Sequence, residues 1–121
     1  MHYTPATIRS ARADAVAALG PAFARSYSLD VNEWLDRCEG DEAQLWRHGD
    51  LWAITEVRDT AAGRLLVGVA LGGAYNDELI PEIERWAKSV GCVKALLTGR
   101  KGFTKRLPEY KIKTVTLEKD L

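Results

Sequence analysis

Glu56 stands inside an alternating run, Trp52-Ala-Ile-Thr-Glu-Val57. A carboxylate held among apolar neighbours is a candidate general base, since it can take a proton from a nucleophile. The competing reading is a solvent-facing or arginine-paired glutamate, which is the commoner fate of a single strand carboxylate. A second candidate is Gly72-Gly73, which precedes Ala-Tyr-Asn-Asp-Glu78. Glycines ahead of a helix let backbone N–H groups approach an anion, and the helix N-terminus adds a favourable dipole. Yet Asp77 and Glu78 place two carboxylates at that helix start, and Gly72–Glu78 contains no Lys or Arg. Each such charge shifts the local balance by about 0.3–1 kcal/mol. Pro81 removes one more donor. No tight anionic cofactor is therefore expected at this loop.

From Gly99 to Lys113 the chain carries six Lys/Arg against one acid, Glu109. Arg100, Lys101, Lys105 and Arg106 form its densest part and are the candidate interaction residues. They could contact phosphate, or meet the acids Asp77, Glu78, Glu82 and Glu84 on the same or another copy. A plain solvated face is the simpler alternative. Cys38 and Cys92 have no metal spacing, and free thiols are expected. His48 belongs to a turn and His2 to the N-terminus. No metal site is expected.

These residues must be positioned by one domain spanning residues 1–121. Hydrophobic residues make up 46% and charged residues 28%, with 17 Lys+Arg matching 17 Asp+Glu. The zero net charge gives no footing for a nucleic-acid surface. No apolar run reaches the length of a membrane span. The first residues, Met1-His2-Tyr3-Thr4-Pro5, lack the pattern of a secretory leader.

Tyr3–Ser10 reads as a short strand and Asp14–Tyr27 as a helix, with Val16, Leu19, Phe23 and Tyr27 on one stripe. Gly20-Pro21 should kink or split it. Asp30 reads as an N-cap, with Glu33 as its capping-box partner, for a helix over Val31–Arg37. Ala43–His48 and Leu51–Asp59 read as a hairpin around Gly49-Asp50. Trp52, Ile54 and Glu56 share one face. Arg64–Leu71 is apolar on both faces and should be a central strand, with Gly68 marking a bulge or a close backbone approach. Asn76 or Asp77 caps a helix whose buried stripe is Ile83, Trp86, Ala87 and Val90. Trp52 and Trp86 should meet across a strand–helix interface. Val93–Thr98 is a strand parallel to Arg64–Leu71. Phe103–Leu107 gives a turn or two of helix and Lys111–Glu118 a last strand.

This order resembles the GNAT acyltransferase fold. The resemblance rests on Ala6–Leu19 as first strand and helix, on the middle hairpins, and on Phe103–Leu121 as last helix, turn and strand. It implies an α/β (α+β) single GNAT-like domain, a mixed sheet of about six strands with about four helices. Trp52-Ala-Ile-Thr-Glu-Val57, Glu82-Ile-Glu-Arg-Trp-Ala87, Gly99-Arg-Lys-Gly102 and Leu117-Glu-Lys-Asp-Leu121 are similar to small GNAT-like proteins of tailed bacteriophages. An acetyl-CoA-binding member carries a Gln/Arg-x-x-Gly-x-Gly/Ala loop, which Gly72–Glu78 does not reproduce. The family's tyrosine acid maps near Phe103 and Thr104, which carry no phenol; Tyr110, in the turn before the last strand, reads as a packing residue. The resemblance therefore implies a non-catalytic, virion-associated or protein-interaction role, with no cofactor. Its partners would be phage structural proteins or a second copy, in the host cytoplasm or the virion. The alternative is an acetyl-CoA-dependent N-acyltransferase with Glu56 as base and Gly72 and Gly73 at the cofactor.

Overall fold

The computed structural model describes residues 3–24, 30–97, 103–113 and 117–121. Helix α1 covers Pro5–Phe23 and α2 covers Val31–Glu39. Three strands follow, β1 Gln44–His48, β2 Leu51–Thr60 and β3 Gly63–Gly73. Helix α3 (Leu79–Ser89) crosses over to β4 (Cys92–Leu97), and a single turn, α4 (Phe103–Arg106), comes last. The sheet order is β1-β2-β3-β4, with β1–β2 and β2–β3 antiparallel and β3–β4 parallel. This is a mixed α+β fold. Among the described residues it has four strands rather than about six, and three helices of nine residues or more beside the α4 turn.

The start of the chain is helical where a strand was expected. Thr4 is extended and Pro5 occupies the first helical position, where its fixed φ suits the helix and its missing N–H costs nothing. Ile8, Ala11, Ala15, Leu19 and Phe23 then make one buried stripe at helical spacing. Tyr3 keeps a trace of strand character, donating its N–H to the Leu45 carbonyl at 2.8 Å. The helix runs through Gly20-Pro21 rather than splitting, because only two further residues follow and little of the hydrogen-bond ladder is lost. Tyr27 lies outside the described residues. For α2 the N-cap expectation holds, the Asp30 carboxylate accepting the Glu33 N–H at 2.9 Å, and the helix runs two residues further than Arg37, to Glu39. Arg12 joins the two helices, donating to Asp36 at 2.8 Å and to the Asn32 carbonyl at 2.9 Å.

Two cores flank the sheet. On one face, α1 and α2 pack against Leu45, Trp52 and Ile54. On the other, Leu79, Ile83 and Ala87 of α3 pack against Trp46, Leu51, Ala53 and Leu66. Trp52 and Trp86 therefore belong to opposite faces and do not share an interface. Trp52 is 3% exposed and stacks on Tyr3. Trp86 is half-buried and meets Trp46 edge-on, with ring centroids 5.4 Å apart. Trp46 donates to Thr55 Oγ1, which donates to Gln44 Oε1, both at 2.9 Å. That chain satisfies the polar atoms which the β1–β2 pair buries.

The expected final strand over Lys111–Glu118 is absent from its described residues. Residues 111–113 and 117–118 carry no strand, and Leu117 is 90% exposed; residues 114–116 lie outside the described set. Among the described residues of this segment, Ile112 and Leu117 are both exposed.

Candidate functional site

The site is built around the carboxyl end of β3, beyond its last described pairing with β4. The two strands pair from Arg64/Cys92 to Gly68/Leu97, and β3 continues to Gly73. Val69–Gly73 thus has no β4 partner among the described residues. The register with β2 also shifts here: Ile54 faces Ala70 while Thr55 faces Gly68, leaving Val69 as an extra residue. This is a β-bulge, foreshadowed by Gly68, and it puts consecutive residues Val69 and Ala70 against the same α1/α2 core. A crevice at the carboxyl ends of parallel strands, beside a helix start, is where ligands bind α/β sheets. An open strand edge also offers backbone donors and acceptors to an amide-bearing ligand.

Glu56 is opposite Val67, one register step from the bulge. Strand alternation puts it on the face of Trp52 and Ile54. It is 8% exposed and paired with Arg58, whose Nε and Nη2 both reach Oε1. Burial and arginine pairing thus occur together, whereas the sequence set them as alternatives. Arg58 was not singled out, although its two-residue spacing from Glu56 on a strand is the signal that would have found it.

Gly72 and Gly73 are the last residues of β3, paired with Trp52 and Leu51, so they do not lie in the loop itself. A Cβ at Gly72 would fall 2.2 Å from the Ala18 carbonyl oxygen in α1. One at Gly73, whose φ is +101°, would fall 1.9 Å from the Asp50 carbonyl oxygen. Both glycines serve close packing between backbones.

The loop that follows is tied to the β1–β2 turn. The Ala74 N–H donates to the Asp50 carbonyl at 3.2 Å, and the Asn76 amide donates to the His48 carbonyl at 2.9 Å. His48 also contacts the Glu78 carboxylate. Asn76 Oδ1 accepts the N–H groups of Glu78 at 3.1 Å and Leu79 at 3.2 Å, so Asn76 is the residue that caps α3. Pro81, third in the helix, has no N–H. The first turn of α3 is left with Ile80 as its remaining donor. This donor set is a poor fit for a diphosphate, which needs several converging N–H groups. Val69–Gly73, without a strand partner on the β4 side among the described residues, is the better candidate for holding a ligand.

Positive charge does reach the loop, from elsewhere in the chain. The Arg106 guanidinium of α4 lies 4.5 Å over the Tyr75 ring. Burial, then the Asp77 charge, pushes the Tyr75 hydroxyl's pKa up, while Arg106 pulls it down. Lys105 is exposed, and Arg100 and Lys101 lie outside the described residues, as do the side chains of Phe103 and Thr104. Tyr110 is anchored on α3, donating its hydroxyl to Glu84 at 2.7 Å. Burial and that bond to a carboxylate drive its pKa well above the usual tyrosine value. This is the packing role expected from sequence. Cys38 is buried, which pushes its thiol up to about 12. Among the described residues no cluster of His, Cys, Asp or Glu could hold a metal ion, and no helix is long and apolar enough to cross a membrane.

No protein-family model matches the chain, and no curated protein sequence does. Solved structures do resemble it over its whole length. An aminoglycoside acetyltransferase from an uncultured soil metagenomic sample, in complex with sisomicin, superposes with a TM-score of 0.69 at 10% identity, covering 100% of this chain and 94% of its own. A Trypanosoma brucei acetyltransferase gives 0.62 at 13% identity, covering 100% and 97%. A probable acetyltransferase gives 0.63 at 10% identity, covering 99% and 98%. At such identities the likeness shows a shared fold. The chain shares the fold of these acetyltransferases.

Proposed function

We propose that this chain is a GNAT-type N-acyltransferase that takes acetyl-CoA as acyl donor and an amine as acceptor. The observation that carries this reading is the β-bulge on β3 beside its last described pair with β4, in a chain that shares the fold of acetyltransferases from end to end. The lean from sequence toward a non-catalytic protein gains no support from these neighbours. A bound thioester would supply the activated acyl group. The open edge of β3 from Val69 to Gly73 would orient its amide-bearing arm by strand-like pairing. Glu56 would take a proton from the acceptor's ammonium group, leaving the amine lone pair free to attack the thioester carbonyl; the C–N bond would form as the C–S bond breaks, and the departing thiolate would leave as thiol with the nitrogen's second proton. Gly72 and Gly73 would set the path of β3 behind that arm. Arg106, over Tyr75 in the loop, would be a cation available to the donor's phosphates.

A second reading keeps the fold and drops the chemistry: a phage or virion protein, or a protein-interaction component, with a basic surface at Arg100, Lys101, Lys105 and Arg106. The capped and acidic start of α3 favours it. Calorimetric titration with acetyl-CoA, followed by thiol release with a panel of amines, separates the two. Saturable binding near ~100 µM, about −5.5 kcal/mol, with amine-dependent thiol release supports the acyltransferase. Absence of binding at roughly 1 mM, about −4.1 kcal/mol, refutes it. Co-purification with phage particles, lost on charge reversal at Lys105 and Arg106, would then support the second reading.

A further inference from the structure

Glu56 and Arg58 stand two apart on β2, on one face of the strand. Glu56 is almost fully buried at the margin of the α1/α2 core, while the Arg58 side chain is 59% exposed. A buried carboxylate without a partner is strongly disfavoured, so Glu56 requires this guanidinium. The form of the pairing matters more than its presence. An arginine that only neutralises a carboxylate commonly engages both oxygens, fork to fork. Here Nε and Nη2 converge on Oε1 alone. Oε2 accepts no hydrogen bond among the described residues. A general base needs this division: one oxygen fixed, the other free to receive a proton.

We propose that Arg58 is a positioning residue. It grips Oε1 of Glu56 and presents Oε2 as the proton acceptor beside the β-bulge. The proposal rests on the acyltransferase reading and extends it to a residue that touches neither acyl donor nor acceptor. Arg58 holds the carboxylate's rotors in one orientation and compensates its charge from the solvent side. Lys at this position would restore charge but not the two-nitrogen grip.

The test uses the full chain, acetyl-CoA and the best amine of the panel, with thiol release as readout and a thermal melt as the check of folding. Arg58→Gln should lower kcat about tenfold or more and leave KM for acetyl-CoA within about twofold, as expected when only the base is misplaced. Arg58→Lys should recover part of kcat. In an Glu56→Gln background, Arg58→Gln should add no further loss, because it acts through the carboxylate already removed. Unchanged kcat in a folded Arg58→Gln variant overturns the positioning role and leaves the acyltransferase standing. So does an equal loss in the presence and absence of Glu56. A wild-type chain without transfer to any amine overturns the acyltransferase reading, and the role of Arg58 falls with it.

Discussion

Gly72→Ala is the substitution that most directly tests how this site is built. The added Cβ would stand 2.2 Å from the Ala18 carbonyl oxygen, 3.1 Å from its carbon and 3.2 Å from Leu19 Cα. All three atoms are helix backbone, so no rotamer change relieves the contact. To restore an ordinary separation, α1 must withdraw from β3 by roughly 1 Å, in the range where packed atoms forfeit a quarter to a half of their dispersion energy. Ala15 and Leu19 are fully buried on that helix and would lose contact together. Overpacking of this kind costs about 1–3 kcal/mol, and a backbone partner places it at the upper end. For a domain of this size, about 3 kcal/mol corresponds to a fall of roughly 10 °C in the melting midpoint. Thermal unfolding followed by circular dichroism measures it. Gly20→Ala is the control: apart from its chain neighbours and its own helix backbone, nothing lies within 4 Å of the added Cβ. Its shift should stay within about 1 kcal/mol. A Gly72→Ala midpoint within about 2 °C of wild type would refute the seating of α1 on β3. It would return Gly72 to the role of an open anion cradle.

Thr55→Val keeps volume but takes the acceptor from Trp46 Nε1 and the donor from Gln44, so urea unfolding should show a loss of about 1–3 kcal/mol; a loss below ~0.5 kcal/mol would mean that other partners replace the bonds. Trp86→Ala removes the edge contact with Trp46 from a half-buried position, and should cost about 2–3 kcal/mol by the same assay, less than a fully buried aromatic. Tyr110 has a folded-state pKa raised above its unfolded value, so its contribution is fully present below about pH 10 and is lost as pH rises beyond it. Stability measured from pH 8 to 11 should therefore fall more gently in Tyr110→Phe than in wild type; parallel slopes would remove the Glu84 anchor from the account.

Local structure was legible wherever neighbours in sequence are also neighbours in space. The Asp30 cap, the turn at Gly49-Asp50, the central placement of β3 and the buried Ile83 and Ala87 follow from spacing alone. The bulge could be read from one glycine in an apolar strand. The opening helix is not legible because Tyr3–Ser10 spans too few residues to separate a period of 2 from one of 3.6, and only the packed stripe from Ile8 to Phe23 decides for helix. A last strand over Lys111–Glu118 needs a neighbouring strand and a packed face, and Ile112 and Leu117 remain exposed.

The site was legible in part, and its remainder depended on contacts between distant segments. Sequence alone determined that Glu56 would sit in a strand among apolar residues, and that the start of α3 would be acidic and poor in donors. Tertiary structure decided what those facts mean. Gly72 and Gly73 look like an anion cradle until Ala18 and Asp50 come against them from distant positions. Arg106 becomes the loop's cation only when α4 returns to Tyr75. The parallel pairing of β3 with β4, from Arg64/Cys92 to Gly68/Leu97, exists only once the crossover has set the two strands side by side. The physical reason is that capping, turns and periodicity are energies of neighbouring residues. Close backbone approach and charge placement belong to whichever surfaces the folded chain brings within a few ångströms.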